Sequence, residues 1–264
     1  MDEYTRFATS DTPAHILYLL DVSGTMNNEL QGRPRVRWLE DALAYTLEFL
    51  IDERSYRGEV YRPRYRIAII SYSSEVDDSL TGGEFVDVKD FWNEGLPEFS
   101  PGGETFTKRA FERAYQMLER LLADPIVQER YPAPIVCHVT DGEYNVGGDP
   151  TPIANKVKGL RNRDGHVLVQ NLFITDELLA TPIEDVRAWK GFMPGEEEVA
   201  FKGKQAKYAR ALFNMSSSLP ESYASILKDM GFSLEPGSRM MYPGQNYDLI
   251  KLAFVASTIT PFEW

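Results

Sequence analysis

The sequence predicts an α/β fold with a doubly wound, mostly parallel central sheet and helices on both of its faces. Two patterns along the chain favour this class, because short apolar runs alternate with segments whose apolar residues recur at helical spacing. The length agrees, since 264 residues, 43% of them hydrophobic, can bury a full core without disulfides or structural metals. We therefore expect one domain over residues 1–264.

Four apolar runs are predicted to be buried strands of the sheet, at residues 15–20, 65–71, 135–140 and 167–174. They are apolar at successive positions, which is typical of parallel strands that are covered on both faces. Residues 84–88 alternate between apolar and polar after the turn at Gly82 and Gly83, so they predict an antiparallel edge strand.

Helices are predicted between and after these strands. In residues 34–53 the apolar side chains form one stripe, which consists of Val36, Leu39, Leu43, Leu47 and Leu50. Residues 106–121 repeat the pattern. Thr151 and Pro152 predict an N-cap and the first position of another helix. Two further amphipathic helices are expected at residues 223–230 and 247–257.

Two regions depart from this alternation. Residues from about 181 to 207 contain a Gly-Phe-Met-Pro-Gly run and three consecutive glutamates, so we expect a surface insertion or long loop there. Large apolar residues occur at 240–243 and again at 259–264, in the C-terminal extension. These apolar residues are expected to pack back on the sheet, and the alternative is a docking surface for another subunit.

Composition limits the partners and the compartment. The 28 basic and 40 acidic residues give a net charge of −12, which argues against nucleic acid and membrane surfaces as partners. Cys137 is the only cysteine, and this favours a reducing compartment. The chain starts with an acidic segment and has no apolar run of roughly 18 residues, so we expect a cytoplasmic protein without a secretory signal or membrane span.

Three loops carry the polar residues that point to a function. The first strand ends in Asp21-Val-Ser23-Gly-Thr25, and Asp141 follows the strand at 135–140. Glycines and two hydroxyls, Thr105 and Thr107, lie near the start of the helix at 106–121. Ligands bind at the carboxyl ends of parallel strands, and hard oxygen donors of low total charge suit Mg²⁺. The alternative for the first loop alone is a solvated turn or helix N-cap.

Taken together, the three loops resemble those of the von Willebrand factor A (VWA) family, which carry its metal-ion-dependent adhesion site (MIDAS). The first loop is similar to the family's D-x-S-x-S, with Thr25 in place of the second serine. Thr105 is the best match for the threonine of the second loop, with Thr107 as the alternative, and Asp141 matches the aspartate of the third loop in its T-D-G context. The resemblance is clear over residues 14–174.

This resemblance implies a Rossmann-like fold and a particular metal site. Its ligands would be Asp21, Ser23, Thr25, Thr105 and Asp141. The ion would be Mg²⁺, with Mn²⁺ or Ca²⁺ as alternatives, and the carboxylate of a partner's Asp or Glu would complete its coordination. The domain would then be a protein-interaction module without catalytic residues.

The resemblance is greatest to bacterial cytosolic stand-alone proteins of the tellurite-resistance-associated type. These act in signalling or stress-response complexes beside a Ser/Thr kinase, a PP2C-type phosphatase or an AAA+ ATPase, which are therefore the expected partners. The alternative function is a Mg²⁺-dependent hydrolase of phosphate esters that uses Asp21 and Asp141. It is disfavoured because no general base or leaving-group acid can be named near the three loops.

Three histidines and the cysteine are not expected to take part. His15, His138 and His166 are scattered over three strand regions, so they are predicted to be core or strand-end residues. Cys137 lies inside an apolar run, where a thiol ionises poorly, and it is predicted to be a small core residue.

Overall fold

The computed structural model describes residues 3–142, 144, 146–176 and 178–262. Its strands in chain order are β1 (Ala14–Asp21), β2 (Glu29–Leu30), β3 (Arg33–Pro34), β4 (Tyr56–Arg57), β5 (Val60–Tyr61), β6 (Tyr65–Tyr72), β7 (Val76–Asp77), β8 (Val86–Asp87), β9 (Ile135–Thr140), β10 (Leu168–Phe173) and β11 (Met241–Pro243). The helices are α1 (Arg35–Asp52), α2 (Val88–Glu94), α3 (Thr107–Leu122), α4 (Pro125–Arg130), α5 (Thr151–Gly159), α6 (Glu197–Ala200), α7 (Ala206–Met215), α8 (Glu221–Asp229) and α9 (Tyr247–Ala256).

The central sheet has the strand order β11-β10-β9-β1-β6-β7, and β8 also pairs with β6. The five strands from β11 to β6 are parallel, and only the short β7 and β8 run antiparallel to β6. The prediction of a mostly parallel sheet with an antiparallel edge strand is therefore confirmed. The chain crosses from β6 over to β9, on the other side of β1, and this reversal opens a crevice at the carboxyl ends of β1 and β9.

Both faces of the sheet are covered, which explains the uninterrupted apolar runs. Ile16, Tyr18 and Leu20 of β1 belong to a core that α1, α2, α8 and α9 complete. Leu17 and Leu19 belong to a second core on the opposite face, to which α3, α5 and α7 contribute. Successive residues of a strand point to opposite faces, so a strand between two helical layers must be apolar at every position.

The region after β10 is more ordered than a long loop. Within it, α6 is a single turn, and α7 begins inside the segment and packs Ala209, Leu212 and Phe213 into the second core. The helix α7 was not predicted, because no element was assigned to the residues between the expected insertion at about 181–207 and the helix expected at 223–230. The short strand β11 was also not predicted, since three residues carry no periodicity of their own.

The helix predicted from Thr151 begins one residue earlier than expected. Thr151 is already helical, and Pro150 is the residue that precedes the helix. The carboxylate of Asp149 accepts the backbone N–H of Thr151 at 2.9 Å, so it takes the capping role that was expected of the Thr151 side chain. An acidic side chain can satisfy an unpaired N–H of the first turn as well as a threonine can.

The C-terminal segment packs against the body of the fold. Thr258, Ile259 and Thr260 are buried, and the backbone N–H of Ala8 donates to the carbonyl of Pro261 at 2.6 Å. Trp264, which the tail prediction included, lies outside the described residues. Among the helices that the structure describes, not one combines the length and the apolar character that crossing a membrane requires.

Candidate metal centre

The sheet brings the first and third loops together at one edge. β1 and β9 are parallel neighbours, with Leu20 opposite Val139, so Asp21 at the end of β1 lies beside Thr140 at the end of β9. Asp141 is the next residue. Asp21, Ser23 and Asp141 are all at most 1% exposed.

Asp21 is held by two donors from these two strand ends. The backbone N–H of Ser23 donates to Asp21 Oδ1 at 2.9 Å, and the hydroxyl of Thr140 donates to Asp21 Oδ2 at 2.7 Å. The hydroxyls of Ser23 and Thr25 lie 3.2 Å apart. The first loop thus holds one carboxylate and two hydroxyls within a short stretch of chain.

The second loop is joined to the first by backbone hydrogen bonds. Gly24 N–H donates to the Gly103 carbonyl at 3.1 Å, and Gly102 N–H donates to the Val22 carbonyl at 2.9 Å. A Cβ on Gly24 would lie 3.3 Å from the Gly103 oxygen, and Gly103 itself has φ of 75°. The glycines therefore allow a backbone approach that brings Thr105 towards the first loop.

Thr105 and Thr107 occupy different environments. Thr105 is 1% exposed and lies in the loop before α3. Thr107 is the first residue of α3, and its hydroxyl interacts with the phenol of Tyr72. The choice between Thr105 and Thr107 as the second-loop ligand therefore stays a prediction, with Thr105 as the preferred match.

The third loop contains an ion pair. Nη1 of Arg35, the first residue of α1, donates to Asp141 Oδ2 at 3.0 Å, and Nη2 lies 4.0 Å from Asp176 Oδ1. The Arg35 side chain is 9% exposed, whereas that of Asp176 is 54% exposed. A buried cation therefore accompanies the carboxylate of Asp141. Glu143, which follows in this loop, lies outside the described residues.

The electrostatics of the centre favour an additional cation. Burial first, and then repulsion from Asp141, raise the pKa of Asp21 to about 7, although its hydrogen bonds to Ser23 and Thr140 act in the opposite direction. When both carboxylates are ionised they carry −2, and Arg35 compensates only one of these charges. A divalent ion would stabilise the ionised form of Asp21, because an opposite charge at close range lowers a carboxyl pKa.

The donors present fit a hard divalent cation. They are carboxylate and hydroxyl oxygens, which Mg²⁺ prefers, whereas zinc sites in proteins are built mostly from Cys and His. No group of three or more His, Cys, Asp or Glu side chains that could hold a metal occurs among the residues the structure describes. A metal at this centre would thus depend on Asp21 and Asp141 together with the hydroxyls of Ser23, Thr25 and Thr105.

Three residues of the centre were missed at the level of sequence: Arg35, Thr140 and Asp176. Arg35 offered a signal, because a cation in the first turn of a helix faces the positive end of the helix dipole and calls for an acidic partner. Thr140 was recognised only as part of the T-D-G motif around Asp141, and its hydrogen bond to Asp21 was not predicted. Asp176 carried no signal, since its approach to Arg35 depends on the sheet order.

The remaining candidates take structural positions. His138 lies between the hydroxyl of Tyr72 and Oδ1 of Asn171, at 2.7 Å from each, and is buried. His15 is 4% exposed and packs between Phe85 and Tyr131. Burial raises the pKa of the Cys137 thiol to about 12, which is consistent with a core residue. His166 is half-buried at the start of the β10 region.

Comparison with known proteins gives matches at the level of structure. No protein-family model and no curated protein sequence matches the chain. The solved structure of proximal thread matrix protein 1 (PTMP1) from the mussel byssus has a TM-score of 0.52 and 13% identity, covering 94% of this chain and 48% of that one. The minor pilin PilB of Streptococcus sanguinis has a TM-score of 0.53 and 12% identity, covering 94% of this chain and 61% of that one.

The pilus adhesin SpaC of Lactobacillus rhamnosus GG has a TM-score of 0.55 and 12% identity, covering 94% of this chain and 31% of that one. The chain thus spans less than two thirds of each of these three proteins. Together with the strand order, the similarity decides the fold. The chain has a von Willebrand factor A fold. One VWA structure, that of PTMP1, has been solved with zinc in its MIDAS motif.

Proposed function

We propose that this chain is a metal-dependent protein-interaction module, and that its VWA fold holds Mg²⁺ through Asp21, Ser23, Thr25, Thr105 and Asp141. The observation that carries the proposal is the burial of two carboxylates at one edge of the sheet, with two hydroxyls 3.2 Å apart beside them. When bound, the ion would supply an electrophilic position for a partner's carboxylate.

The charge balance supports an anionic partner group. Asp21 and Asp141 contribute −2, Arg35 contributes +1, and a divalent ion would contribute +2, so the loaded centre would carry a net charge of +1. This local charge contrasts with the net charge of −12 of the whole chain. A partner's Asp or Glu would therefore be attracted by the centre itself, with little help from the long-range field.

The wider setting is also a proposal and rests on the resemblance of the three loops. We propose a cytoplasmic bacterial signalling or stress-response complex. Its partner would be a Ser/Thr kinase, a PP2C-type phosphatase or an AAA+ ATPase that presents an acidic side chain. Nucleic acid and membranes are not proposed as partners. The domain would act without catalysis, and Mg²⁺-dependent hydrolysis of a phosphate ester is the alternative.

The metal is tested first, by calorimetric titration with Mg²⁺ and Mn²⁺. Asp21→Ala should abolish binding, because it removes a carboxylate that two protein donors hold in place. Glu29→Ala is the matched control, since it removes an exposed carboxylate close to the same loop. Equal Mg²⁺ affinity in wild type and Asp21→Ala would refute the metal assignment.

The interaction is tested next, by affinity capture with wild type and Asp21→Ala in Mg²⁺ and in chelator. A partner should be retained only by the wild-type protein in Mg²⁺. A phosphatase assay with and without Mg²⁺ separates the alternative, since metal-dependent turnover that Asp21→Ala removes would contradict a purely binding role.

A further inference from the structure

A second polar cavity lies at the opposite edge of the sheet from the metal centre. Its volume is about 730 Å³, and residues that line it include Lys158, His166, Ser217, Ser222 and Arg239. Leu168, the first residue of β10, is also part of the lining. β10 ends at Phe173, on the side of the metal centre, and six residues of strand span roughly 17–20 Å. The cavity is therefore separate from the centre described above.

Two cations line this cavity, and their hydrogen-bond partners are neutral oxygens. Lys158 Nζ donates to the carbonyl of Asn214 at 2.9 Å. Arg239 Nη1 donates to the carbonyl of Ser216 at 3.3 Å and contacts the hydroxyl of Ser218 at 3.5 Å. Within the described part of the chain, no carboxylate lies within 4.0 Å of either cation.

Lys158 and Arg239 are unusual because they are partly buried cations without an ion-pair partner among the described residues. Burial lowers the pKa of Lys158 to about 8, and repulsion from Arg239 contributes in the same direction. The chain as a whole has 12 more acidic than basic residues, so carboxylates were available to neutralise the pair. In addition, Arg239 Nε is buried and makes no hydrogen bond among the described residues. Partly buried cations of this kind are normally paired with an anion.

Two acidic residues, Glu3 and Glu221, also line the cavity. Glu3 is exposed and pairs with Arg161 at 3.5 Å, and Glu221 is an exposed residue in the first turn of α8. Ser222, from the same end of the helix, also lines the cavity. Helix N-termini favour anions, because their unpaired N–H groups and the helix dipole both present positive charge. The cations and the helix end thus form the positive part of the cavity.

We propose that this cavity binds a phosphate dianion, free or as the terminal group of a small molecule, between Lys158 and Arg239. Phosphate is favoured over a single carboxylate because two unpaired cations match its charge of nearly −2 at neutral pH. Arg and Lys are also the usual donors to phosphate oxygens. The volume leaves room for an organic portion next to the dianion.

The test is calorimetric titration of the full chain with inorganic phosphate, phosphoserine and acetate, each in chelator so that the metal centre cannot take part. Phosphate or phosphoserine should bind, and acetate should bind at least about tenfold more weakly. Tighter binding of phosphoserine than of inorganic phosphate would identify a phosphorylated small molecule as the ligand, and equal binding would identify the free ion.

Lys158→Met and Arg239→Met should each weaken binding by roughly 10- to 100-fold, since each removes a charged hydrogen-bond donor. Lys156→Met, an exposed lysine of the same helix, is the matched control and should bind as wild type does. If Arg239→Met does not fold, Arg239→Lys replaces it and should retain part of the affinity. Unchanged affinity in the Lys158 and Arg239 variants, or equal binding of acetate, would overturn the proposal.

The pH dependence of the affinity provides a further test, because a purely structural role of Lys158 would not produce one. Binding of a dianion stabilises the protonated Lys158, so affinity should fall as the pH rises through about 8. The other titratable groups around the cavity are Glu3, Tyr4, His166, Glu221 and Arg239. The series uses phosphoserine, whose phosphate has a second pKa of about 6 and is already a dianion in this range. Lys158→Met should lose the pH dependence about pH 8, and a fall in affinity there that persists in the variant would count against the assigned site.

Discussion

Arg35 adds a positive charge to the proposed metal centre. Its guanidinium donates to Asp141 from a position that is 9% exposed, so it stabilises that carboxylate when no other cation is near. Removal of one partner from a buried pair leaves the other charge uncompensated, which costs more than the pair contributes. The same guanidinium repels any cation that binds beside Asp141.

We therefore expect opposite effects of Arg35→Gln on stability and on metal binding. The free energy of unfolding in chelator should fall by about 3 kcal/mol, because Asp141 loses its partner. The Mg²⁺ affinity should rise at least about tenfold, because a like charge is removed. Denaturant unfolding in chelator and calorimetry with Mg²⁺ measure the two effects.

Arg37→Gln is the control for this experiment, since Arg37 is a half-exposed residue of the same helix that pairs with Glu40. It should change the free energy of unfolding far less than Arg35→Gln does and leave the Mg²⁺ affinity as it is. A lower Mg²⁺ affinity in Arg35→Gln would show that the guanidinium assists the metal instead of opposing it.

Substitutions of the two threonines of the second loop, Thr105 and Thr107, should have different effects on Mg²⁺ affinity and on stability. Thr105→Val removes a hydroxyl that is proposed to face the metal, so the Mg²⁺ affinity should fall. Thr107→Val removes the hydroxyl beside Tyr72, so its main effect should be a loss of about 1 kcal/mol in the free energy of unfolding. Calorimetry on both variants decides, and the reverse pattern would assign the ligand to Thr107.

At the scale of elements, the approach of the first loop to the second depends on glycine. Gly103 has φ of 75°, and a Cβ at this position would lie 2.5 Å from the Ser74 hydroxyl oxygen. Ser74 in turn accepts the backbone N–H of Glu104 at 2.9 Å. A side chain at Gly103 would thus displace the segment that carries Thr105, even though no metal ligand is changed.

Gly103→Ala should weaken Mg²⁺ binding and lower the free energy of unfolding by about 1–2 kcal/mol. Gly32→Ala is a matched control, because Gly32 has nearly the same φ, 78°, but a Cβ there would have no atom within 4 Å. Gly32→Ala should lower the free energy of unfolding only because of the strained backbone conformation, and it should leave the Mg²⁺ affinity unchanged. Equal affinity losses in the two variants would refute a role for the close approach.

The whole molecule is expected to lose stability in acid because histidines are buried in the neutral form. Burial first, and then the charge of Arg66, lower the pKa of His15 from 6.5 to about 3. Burial lowers the pKa of His138 to about 4, although its hydrogen bond to Asn171 opposes this. Both pKa values are lower in the folded state than in the unfolded state. At these two sites the unfolded state therefore binds more protons below pH 6.5, so both lower the stability as the pH falls, whereas the raised pKa of Asp21 acts in the opposite direction.

His15→Phe should reduce this acid sensitivity. A phenyl ring can keep the contacts with Phe85 and Tyr131, and the substitution removes one titrating group. Between pH 7 and pH 5 the wild-type protein should lose about 2 kcal/mol more than the variant in the free energy of unfolding. Urea unfolding across this pH range measures the difference, and parallel curves for the two proteins would contradict the prediction.

The fold class could be predicted from the sequence because its signal is local. A strand such as β1 is covered on both faces and is therefore apolar along its whole length, and a helix such as α1 shows its buried stripe within 18 residues. The three loops were found for a related reason, since each directly follows a strand or precedes a helix. Their ligand roles stay a prediction that the metal titrations must test.

Contacts between distant parts of the chain were decided by the tertiary structure. Arg35 and Asp141 are 106 residues apart, and Lys158 and Arg239 meet at one cavity from α5 and the segment before β11. The side chains alone do not specify such contacts, because the sheet order determines which strand ends and helix ends become neighbours. Periodicity records whether a residue is buried, whereas the partner that it meets there depends on how the parallel strands are arranged.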